Sequence, residues 1–190
     1  MKPKILTAFV VVVIVAVGMW LAKPGPESEP EVGEGKLAGE VSLTAPGEQK
    51  TVQPDKVPPD FFLISKDSEP VALSEIKDQY IFINFWNTWC PPCQEEMPEL
   101  NKLYLEYANK NVKFIFINIA AQEKSVDDVT AYLRKHGYSI PVYLDTRADV
   151  AMVYGIRGIP TTIILNPQGQ VIYAESGPIS YEKAKGLITD

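Results

Sequence analysis

This 190-residue chain has only two cysteines and one histidine, His136. A structural zinc site takes four Cys or His ligands, so no metal is expected. Two cysteines are also too few to staple a small secreted domain that lacks a core of its own. No glycine-rich phosphate loop and no internal repeat are present. A net charge of −6 gives no electrostatic reason to expect nucleic acid. What remains is a chain 46% apolar and 22% charged, the balance of one ordinary folded domain with additional segments.

The first additional segment lies at the start. Lys2 and Lys4 precede an uncharged run from Ile5 to Ala22, with Trp20 near its end and Lys23 after it. A helix of that length spans roughly 27 Å, slightly under a hydrocarbon core of about 30 Å. Snorkelling lysines and an interfacial tryptophan make up the difference. Residues 1–23 are therefore expected to be a transmembrane anchor. Lysines ahead of the run place the N-terminus in the cytoplasm and the remainder outside it. A cleaved signal peptide is the rival reading, but its small-residue site, Ala16-Val17-Gly18, would cut inside the apolar run. Residues 24–57 are rich in proline, glycine and glutamate and have little to bury. They read as a disordered tether that gives a folded domain reach.

Residues 58–190 carry globular patterning. Phe61 to Ser65 and Val71 to Leu73 flank a polar turn and are expected to pair as a hairpin. Tyr80 to Trp86 and Val112 to Ala120 are apolar runs rich in aromatic and β-branched residues, the mark of strands buried on both faces. Between them, Met97, Leu100, Leu103, Tyr104 and Tyr107 recur at helical spacing as packing residues. Ser125 is placed to cap a helix that ends near Gly137, with His136 at its cation-friendly end. Val142 to Leu144 predicts a short strand and Ala148 to Tyr154 a short helix, with Asp145 and Arg147 read as turn and surface residues. Thr161 to Leu165 and Val171 to Ala174 flank Pro167-Gln168-Gly169 as a second hairpin, and Ser180 caps a last helix. Strands alternating with helices imply an α/β fold, a mixed central sheet covered on both faces.

Chemistry concentrates at Cys90-Pro91-Pro92-Cys93, just after a buried strand and opening a helix. The first cysteine then sits at a helix N-terminus, where free N–H groups and the macrodipole favour a thiolate. The second lies one turn on, close enough to resolve a mixed disulfide. Cys90 is the expected nucleophile and Cys93 the resolving thiol. An inert bridge would gain little by closing so small a loop.

The segment Phe85-Trp86-Asn87-Thr88-Trp89-Cys90-Pro91-Pro92-Cys93, followed after about sixty residues by Tyr154-Gly155-Ile156-Arg157-Gly158-Ile159-Pro160-Thr161, resembles the thioredoxin superfamily. About 25 extra residues, Gln122 to Asp145, together with the N-terminal hairpin and the apolar leader, resemble its exported branch, the ResA, TlpA and CcmG-like thiol–disulfide oxidoreductases. The resemblance implies a thioredoxin fold with an N-terminal hairpin and a central helix–strand insertion. It also implies a reductant of disulfides in exported proteins, often the haem-binding cysteines of apocytochrome c. A membrane electron donor of the CcdA or DsbD kind would recharge it. The domain would act as a monomer, with no cofactor beyond the Cys90–Cys93 disulfide.

Carried over residue by residue, Pro160 matches the superfamily's cis-proline opposite the dithiol, and Ile159 would offer its backbone to a substrate strand. Trp89, Pro91 and Pro92 complete the expected substrate-contacting set, while Trp86 is assigned to the core. Cytosolic thioredoxins bury an Asp beneath the dithiol, where this chain has Asn84, which takes up no proton. Glu96, three residues after Cys93 and on the same helix face, is the substitute expected to accept the Cys93 proton. Glu95 is turned away from that face.

Pro91 and Pro92 also remove two potential N–H donors at the helix start. A hydrogen bond to a charged group contributes roughly 1.5–3 kcal/mol, so losing one shifts the couple toward reducing by about 30–60 mV. Three alternatives stand beside the reductant: the same chemistry run as oxidase or isomerase, a peroxidase, and a non-enzymatic binding module. The segment before Cys90 lacks the hydroxyl and arginine signature that a peroxidase needs.

Overall fold

The computed structural model describes residues 35–43, 52–65 and 68–189. Along the chain run strands β1 (Leu37–Ser42), β2 (Phe62–Ile64), β3 (Val71–Ala72) and β4 (Tyr80–Trp86), then helix α1 (Pro91–Tyr107). There follow β5 (Val112–Asn118), α2 (Val126–His136), β6 (Val142–Leu144), α3 (Asp149–Val153), β7 (Thr161–Leu165), β8 (Val171–Ser176) and α4 (Tyr181–Thr189). The strands form one sheet in the order β3-β2-β1-β6-β5-β4-β7-β8. Its four middle strands, β1, β6, β5 and β4, are parallel, and both flanks are antiparallel.

Alternation along the central strands divides the core in two. Phe82, Trp86, Phe114, Phe116 and Ile164 face α1, α2 and α4. Ile81, Ile83, Phe85, Ile115, Ile117 and Ile163 face α3 and the segment around Phe61. Both faces of β4 and β5 are covered, which is why neither run shows a polar face in the sequence. Trp86 is fully buried, as its assignment to the core requires. The expected caps are in place: Ser125 Oγ accepts from the Asp127 N–H, and Gly137 closes α2 in the left-handed region at φ 65°. The N-terminal hairpin forms as expected, Phe62 pairing with Ala72 and Leu63 with Val71.

The tether reading is corrected within residues 35–43 and 52–57. Leu37–Ser42 is an internal strand, antiparallel to β2 and parallel to β6. Val41 is buried, and a Cβ on Gly39 would come within 2.0 Å of the Ile64 carbonyl oxygen. Composition misled because this strand draws its ladder from partners far away in sequence, while its own six residues carry few large apolar groups. Further on, the Asp55 N–H donates to the Val171 carbonyl and the Val171 N–H to the Lys56 carbonyl. The anchor expected over residues 1–23 lies outside the described residues, as do residues 24–34 and 44–51 of the tether. Among the described residues no helix is long and apolar enough to cross a membrane.

Asp145 is a second correction. It heads the expected turn, its carbonyl accepting the Ala148 N–H, but it is buried rather than at the surface: its Oδ2 accepts the Ala151 N–H at 2.8 Å at the start of α3. Arg147 is exposed and pairs with Asp149 at 2.6 Å.

Candidate active site

Strand β4 delivers the chain to the site. Trp86 ends the strand, Asn87 to Trp89 turn the corner, and Cys90 is the N-cap of α1 in an extended conformation (φ −89°, ψ 107°). Cys90 and Cys93 are joined as a disulfide, with Cα atoms 5.2 Å apart. Pro91 and Pro92 fill the first two helical positions, where a missing N–H costs the helix nothing. The first N–H that α1 can offer is therefore that of Cys93, and it points at Cys90 Sγ from 3.3 Å. Once the bridge is opened, that donor and the helix N-terminus favour negative charge on Cys90.

Facing the dithiol is the Ile159–Pro160 peptide bond, which is cis. The Ile159 carbonyl oxygen lies 3.6 Å from Cys90 Sγ. Pro160 is buried and its own carbonyl is taken by the Gly177 N–H, while Ile159 is half-buried. Trp89 is 52% exposed, and its indole N–H donates to the Gln122 carbonyl at 3.0 Å. Pro91 is exposed and Pro92 half-buried. Cys90 and Cys93 themselves are 3% and 0% exposed. The rim around the sulfurs is thus apolar and reachable while the sulfurs sit below it.

Beneath the pair, Glu96 projects from the buried side of α1 and is 3% exposed. Asn84 Nδ2 donates to its Oε1 and the Ile179 N–H to its Oε2, both at 2.9 Å. Burial outweighs these two bonds and pushes the carboxyl up from 4.5 to about 7. A carboxyl poised there exchanges a proton readily at neutral pH. Glu95 is exposed, as its rotation on the helix requires.

A second carboxyl fixes the corner before Cys90. Glu123 accepts from the Thr88 N–H at 2.7 Å, the Thr88 hydroxyl at 2.6 Å, Asn87 Nδ2 at 2.9 Å and Asn118 Nδ2 at 2.8 Å. Burial raises its affinity for a proton, but the donors from Thr88, Asn118 and Asn87 overcome this and hold it below the usual carboxylate range. It ties together the ends of β4 and β5 and the beginning of the insertion.

The Redoxin family pattern matches residues 53–188. The chain is 35% identical over 136 residues to the thiol–disulfide oxidoreductase ResA of Halalkalibacterium halodurans, covering 72% of this chain and 71% of that protein. It is 30% identical over 122 residues to the ResA of Bacillus subtilis, covering 64% and 66% respectively. Among solved structures it is similar to StoA from Bacillus subtilis, with a TM-score of 0.61 and 27% identity over 69% of this chain and 97% of that one. The chain is a Redoxin-family thiol–disulfide oxidoreductase of the ResA kind.

Within this Redoxin-family domain, Cys90, Cys93, Glu96, Trp89, Pro91, Pro92, Ile159 and Pro160 all converge on one pole of the sheet, at the C-terminal end of β4. Asn84, at the place expected to lack an acid, is hydrogen-bonded to the Glu96 carboxyl on α1. Glu123 escaped sequence reasoning. The usable signal was a glutamate shortly after a strand ending in Asn118, but nothing local says that Asn87 and Thr88 turn toward it. Among the described residues no three of His, Cys, Asp and Glu gather as metal ligands.

Proposed function

We propose that this oxidoreductase works as a reductant of disulfides in exported proteins, apocytochrome c during cytochrome c maturation among them. Residues 1–23 hold it in the membrane with the domain outside the cytoplasm, and a membrane thiol donor of the CcdA or DsbD type recharges it. The anchor rests on the apolar run flanked by Lys2, Lys4 and Lys23. Beyond the dithiol no cofactor takes part.

The Cys90 thiolate attacks one sulfur of the substrate disulfide. A Cys90–substrate bond forms, the substrate S–S bond breaks, and the first substrate thiolate leaves. Cys93 then gives its proton to the Glu96 carboxylate and attacks Cys90 Sγ. The Cys90–Cys93 bond forms, the mixed disulfide breaks, and the second substrate thiolate leaves. The substrate gains two electrons and the protein dithiol loses them. Trp89, Pro91, Pro92 and the Ile159–Pro160 edge receive the substrate main chain.

The observation that carries the reducing direction is the start of α1, where proline at both leading positions leaves Cys90 Sγ a single helical donor, Cys93 N–H. A thiolate with fewer donors is a weaker resting state and a better electron source. The test is the reduction potential of the pair, read by equilibration in graded thiol buffers. A value below roughly −240 mV supports the reductant, and one above roughly −180 mV makes the protein an oxidase or isomerase.

A further inference from the structure

Two polar side chains, Asn84 and Thr162, lie side by side on the face of the sheet that packs on α1, and Asn84 meets the carboxyl of Glu96 on that helix. Asn84 on β4 is directly opposite Thr162 on β7, and both are 0% exposed. Asn84 Nδ2 spends one N–H on Glu96 Oε1 at 2.9 Å and the other on Thr162 Oγ1 at 3.1 Å. Asn84 Oδ1 is buried without a partner. An asparagine kept for stability alone would not strand its own acceptor, because an apolar side chain of similar shape avoids that cost. The arrangement is explained by what Nδ2 does for the carboxyl.

We propose that Asn84 is a positioning residue for Glu96, and that Thr162 acts on the same carboxyl only by fixing the Asn84 amide. With Thr162 Oγ1 holding one N–H, the other is aimed at Oε1, while the Ile179 N–H fixes Oε2. The carboxyl plane is then set by two elements, β4 and the segment ahead of α4. The donor from Asn84 favours the ionised form, the form able to take the Cys93 proton. This last consequence rests on the role given to Glu96 above; the positioning itself does not.

No charged side chain competes for that carboxyl among the described residues. On α1 the neighbour on the same face is Cys93, which is held in the disulfide. The β4 and β7 neighbours on this face are Phe82, Trp86 and Ile164. On α4, Lys183 turns to Glu175 and Tyr173, and Lys185 to Tyr181. Tyr181 in turn is bonded to Glu106.

The experiment follows the Glu96 carboxyl directly, by carbon NMR of glutamate-labelled full-length oxidised protein in detergent across pH, alongside the pH profile of turnover on a disulfide peptide. Asn84→Ala is expected to raise the Glu96 midpoint by about one to two pH units, the loss of one charge-assisted bond. Thr162→Val, which keeps the shape of the side chain and removes only the hydroxyl, is expected to raise it by less. In the Asn84→Ala background Thr162→Val should add nothing. A midpoint that stays put in either single variant overturns the proposal, and so does a Thr162→Val effect that persists without Asn84. If the midpoint moves and the turnover profile does not follow, positioning is upheld and the proton-acceptor role of Glu96 falls instead.

Discussion

Replacing Glu96 with Gln removes the one buried carboxyl under the dithiol that titrates near neutrality, and its effect on stability should depend on pH in a defined direction. The folded-state value is raised above the unfolded one by burial. Its contribution is therefore fully present below about pH 4.5 and is lost as pH rises through about 7, where the folded protein must hold a buried charge. The rise from 4.5 to about 7, at about 1.4 kcal/mol per pH unit, corresponds to about 3.5 kcal/mol in full. Glutamine has no such dependence, and any fixed cost of its amide facing Asn84 and Ile179 is the same at every pH. Guanidinium unfolding of the oxidised wild type and variant from about pH 4 to 8.5 isolates the difference. The wild type should lose about 3 kcal/mol relative to Glu96→Gln across that window, most of it between about pH 5 and 7.5. Parallel curves, with a gap that changes by less than about 0.5 kcal/mol, would refute the reasoning: Glu96 would then be solvated in the folded state, and no proton could be exchanged there at neutral pH for the reason given.

Glu123→Ala leaves donors on buried Asn87 and Asn118 and on half-buried Thr88 without their acceptor, so a loss of about 2–4 kcal/mol in urea unfolding is expected together with slower disulfide exchange; a change within about 0.5 kcal/mol would mean that the corner before Cys90 holds without it. Pro92→Ala restores an N–H at the second helical position, a usual donor to an N-cap side chain, and should raise the reduction potential by about 30–60 mV. An unchanged or lower potential in thiol-buffer equilibration would show that this donor does not reach Cys90 sulfur. Gly39→Val drives a side chain into the Ile64 carbonyl and should cost more than about 2 kcal/mol in thermal unfolding, whereas a glycine in a linker would tolerate it.

Much of this protein is written in neighbouring residues. The apolar runs at Tyr80–Trp86 and Val112–Asn118, the helical spacing of Met97, Leu100, Leu103 and Tyr107, and the caps at Ser125 and Gly137 are local signals, and local signals determine which elements form. The dithiol belongs with them, since strand, corner and helix N-terminus follow one another without interruption from Tyr80 to Cys93. The tertiary structure alone decided three things. It put Leu37–Ser42 into the middle of the sheet, because β6, the partner that completes its ladder, lies about a hundred residues away. It turned Glu123 toward Asn87 and Thr88, 35 and more positions earlier in the chain. And it gave Glu96 its proton affinity: helix spacing places the carboxyl on the face of Cys93, but only the packing of β4, β7 and the Ile179 segment around α1 removes the water that would otherwise keep it an ordinary glutamate.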